Sequence, residues 1–355
     1  MNNVNKPWAH HGKEIPANNY YYVRSCIRQT FFPAAEEAFL KILRQFLDIE
    51  IYDDPRHTSC TGIGYHTDIV PFETTMTIIA RQFALMTEKG YENLAVSCVT
   101  SFGLYLEVIE AWEHHPHLLE KAQKMLFEAT KRTFKIPKHI VHVSDLIYKH
   151  AEKIAKLSKY KLVNVKTGLP LKVVDHVGCH YAKLFPTQGI GGAEYPKVLS
   201  HVVEAFGGES VDYPERRQCC GFGFRNYLVK ENRGYSLSAS KRKLESMQPY
   251  MPDLIVANCP GCAMFLDKWQ YTLSEMEGIT YDAHKRGIPV VTHEELAGIV
   301  LGLNPWELGL QMHQIQLDSL LEKIGFEYVK SDKYLDINRL SSMGKPLKPS
   351  VLLVD

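Results

Sequence analysis

The sequence predicts an α/β fold of two duplicated domains with parallel-sheet cores, followed by C-terminal helices. Three observations predict it. One cysteine pattern occurs twice in the same order, short β-prone runs alternate with helical patterns in each copy, and 355 residues suffice for two domains.

The duplication is visible at three landmarks. Cys219-Cys220-Gly221-Phe222-Gly223-Phe224 matches Cys60-Thr61-Gly62-Ile63-Gly64-Tyr65, with Thr61 in place of the second cysteine. Upstream, 33 residues separate Cys26 from Cys60 and 39 separate Cys179 from Cys219. Downstream, 37 residues separate Cys60 from Cys98 and 39 separate Cys219 from Cys259. Each half then closes on a short motif, Cys98-Val99-Thr100-Ser101 in one and Cys259-Pro260-Gly261-Cys262 in the other.

Taken in order, residues 20–24 form a β-prone run that ends near Cys26, as residues 171–177 end near Cys179. Apolar residues at three-to-four spacing predict helices over 33–47, 72–89, 196–206 and 236–247. Short strands are expected at 49–52 and 210–213. Asn-Leu-Ala-Val-Ser (93–97) and Leu-Ile-Val-Ala-Asn (254–258) read as buried strands ending at Cys98 and Cys259. The cysteines thus stand at the carboxyl ends of parallel strands, where sheets of this kind place their ligand sites. The expected domains are 1–155 and 156–330, with an extended tail over 331–355. The lysine-rich stretch 148–168 between them reads as a solvated helix and hairpin. Residues 292–303 and 306–324 predict two terminal helices separated by Asn304-Pro305. Their apolar residues suit either core packing or a docking surface.

Composition narrows the function. Apolar residues make up 45% and charged residues 23%, the balance of an ordinary globular chain. A net charge of +1 gives no electrostatic reason to expect nucleic acid as partner. The longest apolar stretches, such as 296–303, fall short of the roughly 20 residues of a membrane span. The polar start, residues 1–13, lacks the apolar segment of a secretory signal, so a cytoplasmic location is expected. Eight cysteines in such a chain point to metal or thiol chemistry rather than to a disulfide framework.

The second half offers five thiols: Cys179, Cys219, Cys220, Cys259 and Cys262. A tetrahedral zinc site uses four ligands, and a vicinal pair plus a fifth thiol suits it poorly. Soft thiolates flanked by glycine (Gly178, Gly221, Gly223, Gly261) favour an iron–sulfur cluster. Zinc on four of the thiols and plainly buried cysteines are the alternatives.

This pattern resembles the cysteine-rich CCG domain of the heterodisulfide reductase B subunit and its relatives, over about residues 20–325. Gly178-Cys179-His180 and the segment from Leu301 to Leu310 followed by His313 are similar as well. The resemblance implies that Cys179, Cys219, Cys220, Cys259 and Cys262 hold a noncubane [4Fe-4S] cluster. It implies a catalytic subunit that carries out thiol–disulfide redox chemistry, and His180 as the residue that handles the proton. The alternative for His180 is a hydrogen bond to a carbonyl or a cluster sulfur. His176, on the preceding strand, reads as structural.

The first half departs from the pattern. It keeps Cys26, Cys60 and Cys98, with Thr61 and Ser101 at the remaining places. A protonated hydroxyl is a poor ligand for iron, so a complete cluster is not expected there. A smaller cluster, zinc with help from His57 or His66, a redox disulfide and inert remnants all stay open.

Other signals are weaker. His114, His115 and His117 read as a solvated helix end, and Arg225 and Lys230 as surface or as charges facing an anionic substrate. The run Gly189-Ile190-Gly191-Gly192 does not open a helix after a strand, so no dinucleotide site is expected. Without a flavin signature the chain needs an electron partner. The resemblance implies a flavin-bearing A subunit and a ferredoxin-like C subunit. The lost ligands are reminiscent of B-subunit paralogues in the sulfur-oxidising heterodisulfide-reductase-like complex, whose substrate is expected on a lipoate-binding carrier. A noncatalytic electron-transfer or anchoring subunit of a succinate, glycolate or glycerol-3-phosphate dehydrogenase type is the alternative.

Overall fold

Two four-stranded sheets, parallel throughout, carry the chain. They are seen in a computed structural model that describes residues 13–57, 62–66, 68–222, 233–277 and 287–327. The first sheet holds β1 (Tyr20–Val23), β2 (Ile51–Asp53), β3 (Asn93–Val96) and β4 (His139–His142) in the order β2-β1-β3-β4. The second holds β5 (Lys172–His176), β6 (Glu209–Val211), β7 (Leu254–Ala257) and β8 (Val290–Thr292) in the order β6-β5-β7-β8. The two orders are the same path repeated. Register agrees too, with Tyr20 opposite Asn93 in one sheet and Val173 opposite Leu254 in the other.

The central strands β1 and β7 are buried on both faces because helices cover both sides of a parallel sheet. Tyr20 to Val23 and Leu254 to Ala257 are fully buried. The covering helices bury stripes at helical spacing. Phe72–Glu88, for example, turns Met76, Ile79, Ala80 and Phe83 inward, each larger side chain contributing about 1.5–3 kcal/mol.

The chain divides into two compact units. The first comprises Met1–Thr30, Leu40–His150 and Val177–Val198; the second comprises Phe31–Phe39, Ala151–His176 and Leu199–Asp355. Each therefore includes a short segment from the other half of the sequence, taken after the first strand of that half.

Several elements differ from the sequence expectation for identifiable reasons. The sequence expectation contains neither of the edge strands β4 and β8, which have four and three residues. The helix expected over 33–47 runs as Pro33–Lys41 and then widens into a π-turn, Ile42–Phe46, with Leu47 N–H on the Ile42 carbonyl. The helix expected over 196–206 is only Ser200–Ala205, because the Lys197 amide bonds back to Ile190. Residues 306–324 are not one helix. Gly309 is left-handed at φ 76°, Leu310–Met312 makes a 3-10 turn, and the amides of Gln314 and Ile315 turn to the Asp267 carboxylate. Only Asp318–Lys323 is α-helical.

His293–Leu301 is a helix, opened by a Thr292/Glu295 capping box and closed by left-handed Gly302. All its residues are buried, so it serves the core rather than a docking face. The stretch 148–168 includes the helix Ala151–Leu157, and an antiparallel bridge joins Val163 to Pro170. No helix among the described residues is long and apolar enough to cross a membrane. The tail 331–355 lies outside them.

Candidate metal centre

β5 and β7 are neighbours in the second sheet, yet the chain leaves β5 toward β6 on one side and returns to β7 on the other. Their carboxyl ends therefore flank the crevice where such sheets bind ligands. β5 ends on His176. β7 runs into Asn258 and Cys259, and the helix Pro260–Glu277 starts at once, with proline at the first helical position, where no amide is needed. Cys262 falls in that first turn.

The vicinal cysteines arrive on the loop after β6. Tyr213 donates to the Asp175 carbonyl at 3.0 Å, and Arg216 makes two hydrogen bonds to the Asp175 carboxylate at 2.7 and 2.6 Å. This loop is thus tied to β5 next to His176. Cys220 is buried and Cys219 exposed, with the Gly221 amide donating to the Cys219 sulfur at 3.4 Å. Gly221 sits at φ 96°, and a Cβ there would lie 2.4 Å from the Ser236 carbonyl. A Cβ on Gly261 would lie 2.6 Å from the Phe222 ring.

One group of metal-ligating side chains emerges among the described residues. The ligand atoms of His176, Cys220 and Cys262 all lie within 4.8 Å of one another. They are 2%, 2% and 4% exposed, and Cys259 is also 4% exposed. Hydrogen bonds from Cys219, Cys262 and His176 hold the Cys220 thiol well below its ordinary pKa. Its neighbours Cys220 and Cys259 push Cys262 the other way, so Cys220 is the thiolate of the pair. Burial and then the charge of Lys243 depress the His176 imidazole, leaving it neutral and able to ligate or donate. Its Nδ1 has no hydrogen-bond partner among the described residues. Read from sequence as a strand residue, His176 shares this group through the position of β5. Burial also brings Lys243 down to about 8, against the pull of Cys220 and Cys262.

Cys179 and His180 belong to the first compact unit, on the short helix Cys179–Ala182. That helix packs on Gly103, where a Cβ would lie 3.0 Å from the His180 carbonyl. The His180 Nδ1 lies 3.4 Å from the Cys179 sulfur, and its ring centre is 5.0 Å from that of His66. Burial and then the neighbouring His66 lower the His180 pKa to about 4, so the ring is neutral at pH 7.

The first-half candidates are arranged differently. Cys98 is buried as the N-cap of the helix Val99–His114, and Cys26, half-buried, starts the helix Cys26–Phe31. Both His57 nitrogens face the backbone, with Nε2 accepting from the Arg24 amide at 3.0 Å and Nδ1 lying 3.3 Å from the Asp54 carbonyl. Ser101, at the place of Cys262, is buried, and its hydroxyl has no hydrogen-bond partner among the described residues. Cys60, Thr61, Arg225 and Lys230 lie outside the described residues. The glycine run follows the 3-10 turn Pro186–Gln188, with Gly191 and Gly192 left-handed.

Comparison with known proteins places these features. Residues 173–267 match the cysteine-rich domain CCG. The chain is 27% identical over 322 residues to the B subunit of ferredoxin:CoB-CoM heterodisulfide reductase from Methanosarcina acetivorans, covering 88% of this chain and 98% of that one. It is 26% identical over 179 residues to the 8-methylmenaquinol:fumarate reductase membrane anchor subunit of Wolinella succinogenes, covering 50% and 58%. A solved structure of a hypothetical protein from Helicobacter pylori shares the fold at a TM-score of 0.60 and 12% identity, covering 86% of this chain and 55% of that one. The chain is thus a CCG-type cysteine-rich protein of α/β fold. Along most of its length it is similar to B subunits of heterodisulfide reductase.

Proposed function

We propose that this protein is an iron–sulfur subunit of a heterodisulfide-reductase-like complex, an oxidoreductase acting on sulfur groups. The observation that carries the reading is the convergence of buried Cys220, Cys262 and His176 at the carboxyl ends of β5 and β7, inside the segment that matches the CCG domain. The donor set fits the cofactor. Soft sulfurs, three of them nearly free of solvent, suit an iron–sulfur cluster better than a hard cation.

Cys219, Cys220, Cys259 and Cys262 would hold the cluster. The sequence resemblance, not the geometry, supplies Cys179 as the fifth thiol and the noncubane type. When bound, the cluster supplies one-electron transfer and an iron on which sulfur can be held. The chain's own residues exclude water from Cys220 and Cys262, keep Cys220 ionised and fix its loop to β5 through Arg216 and Asp175. His180 is the proposed proton-handling residue, since it lies beside Cys179. The partners belong to the same proposal: a flavin-bearing A subunit, a ferredoxin-like C subunit and a disulfide or thiol substrate, free or on a lipoate-binding carrier, in the cytoplasm.

A second reading, an electron-transfer or anchoring role, is favoured by the similarity to the fumarate reductase anchor subunit. One assay separates the two. Anaerobically isolated protein, loaded with iron and supplied with a reduced viologen dye, is expected to reduce CoB–CoM heterodisulfide or a related disulfide. His180→Ala should slow that turnover without changing iron content. Iron-loaded protein that reduces no disulfide but passes electrons to a quinone or dehydrogenase partner would support the second reading.

A further inference from the structure

The helix Arg233–Met247 is polar along most of its length, with the sequence Arg-Gly-Tyr-Ser-Leu-Ser-Ala-Ser-Lys-Arg-Lys at its start. Its apolar spacing, which predicts the helix, comes from Leu237, Leu244 and Met247. Its Ser236, Ser240 and Lys243 are nevertheless 1%, 0% and 0% exposed. Spaced by four and three residues, they share one face.

Every one of the three donates to backbone carbonyls in or just before the vicinal-cysteine motif. Ser236 bonds the Gly221 carbonyl, and Ser240 bonds that of Cys220 at 2.5 Å. Lys243 Nζ bonds the carbonyls of Glu215, Arg216 and Gln218, the last two at 3.1 and 3.0 Å. Three acceptors around one nitrogen require three N–H groups. Only the ammonium has three, so the geometry specifies a charged lysine.

That charge is out of water, and among the described residues no carboxylate forms a salt bridge with it. The acidic groups that act on it, Asp175 and Glu215, are already paired with Arg216 and Arg242. A buried charge without a counter-charge is strongly disfavoured. The remaining groups that act on Lys243 are the sulfurs of Cys220, the thiolate of the pair, and Cys262.

We infer that Lys243 is a positioning residue of the metal centre: its ammonium cages the loop that presents Cys219 and Cys220 and places a fixed positive charge beside Cys220 and Cys262. The inference rests on the iron–sulfur reading above and adds a residue that the cysteine motif does not contain. A cluster held beside this charge is easier to reduce than one without it.

The test compares anaerobically isolated wild type, Lys243→Gln and Lys243→Arg, with folding checked by circular dichroism. Iron per chain is measured, and the midpoint potential is taken from a redox titration followed by electron paramagnetic resonance. Lys243→Gln is expected to shift the potential to more negative values or to lose iron, and Lys243→Arg to return both toward wild type. Folded Lys243→Gln with unchanged iron and unchanged potential would overturn the inference. Wild type without iron is a failure of the iron–sulfur reading itself. In that case, or where both variants fail to fold, nitrogen-15 spectra of the lysine side chains in the metal-free full chain decide. A slowly exchanging ammonium assigned to Lys243 supports the cage, and a neutral or freely exchanging amine overturns it.

Discussion

At the carboxyl end of β3 the chain reads Cys98-Val99-Thr100-Ser101; at the corresponding end of β7 it reads Cys259-Pro260-Gly261-Cys262. Both stretches open a helix beneath the same sheet topology, and both are buried. In the second sheet the fourth residue is a thiol facing Cys220 and His176. In the first it is a hydroxyl without a partner among the described residues. The third residue differs in the same sense, since Thr100 carries a side chain where Gly261 has room for none beside Phe222. One scaffold thus has two fates. Where the ligand-bearing turn keeps thiols, glycine and aromatic packing are arranged around them; where the thiols are gone, ordinary helix-start residues have filled the place.

Exchanging these residues between the halves should break the comparison most sharply. Cys262→Ser, which writes the first-half residue into the second, is expected to remove most of the iron. Ser101→Cys should leave iron content unchanged, and elemental analysis reads both. Next in size is Gly261→Thr. The new side chain meets the Phe222 ring, and overpacking of this kind costs about 2–4 kcal/mol in denaturant unfolding of the metal-free protein.

A third contrast lies at the helices that follow the fourth strands. Both begin with a capping box, His142/Asp145 in the first sheet and Thr292/Glu295 in the second. Asp145 binds Lys13 and Tyr181, whereas Glu295 binds His313 at 3.0 Å. Burial opposes the charge on His313, but Glu295 and Asp267 raise its pKa to about 9 overall. The unfolded value is about 6.5. A raised folded-state pKa gives stability that is fully present below about pH 6.5 and is lost as pH rises through about 9, on the order of 3 kcal/mol here. His313→Gln should flatten that slope in unfolding measured from pH 6 to 10. The smallest effect is expected for Thr100→Gly, about 1 kcal/mol of helix propensity and lost packing, with iron content unaffected.

Much of this was legible in the residues. Buried runs such as Leu-Ile-Val-Ala mark the central strands, and the duplicated cysteines mark their carboxyl ends, because each carries a local pattern. Other features carry none. The break after Trp306 depends on Asp267, far away in sequence, taking two amides. The site shows the same division. Cys220, Cys259 and Cys262 announce themselves, but His176 reads as one more strand residue, and Lys243 carries no signal of its own, until the fold buries them. A polar helix face that packs against carbonyls has no hydrophobic period to reveal it.

The central claim is that the second half holds the cluster and the first does not. Iron and acid-labile sulfide, measured on anaerobically isolated wild type, Cys98→Ser and Cys220→Ser, test it directly. About four irons per chain are predicted in wild type and in Cys98→Ser, with near-complete loss in Cys220→Ser. Equal iron in wild type and Cys220→Ser, or one zinc and no iron in all three, would contradict it.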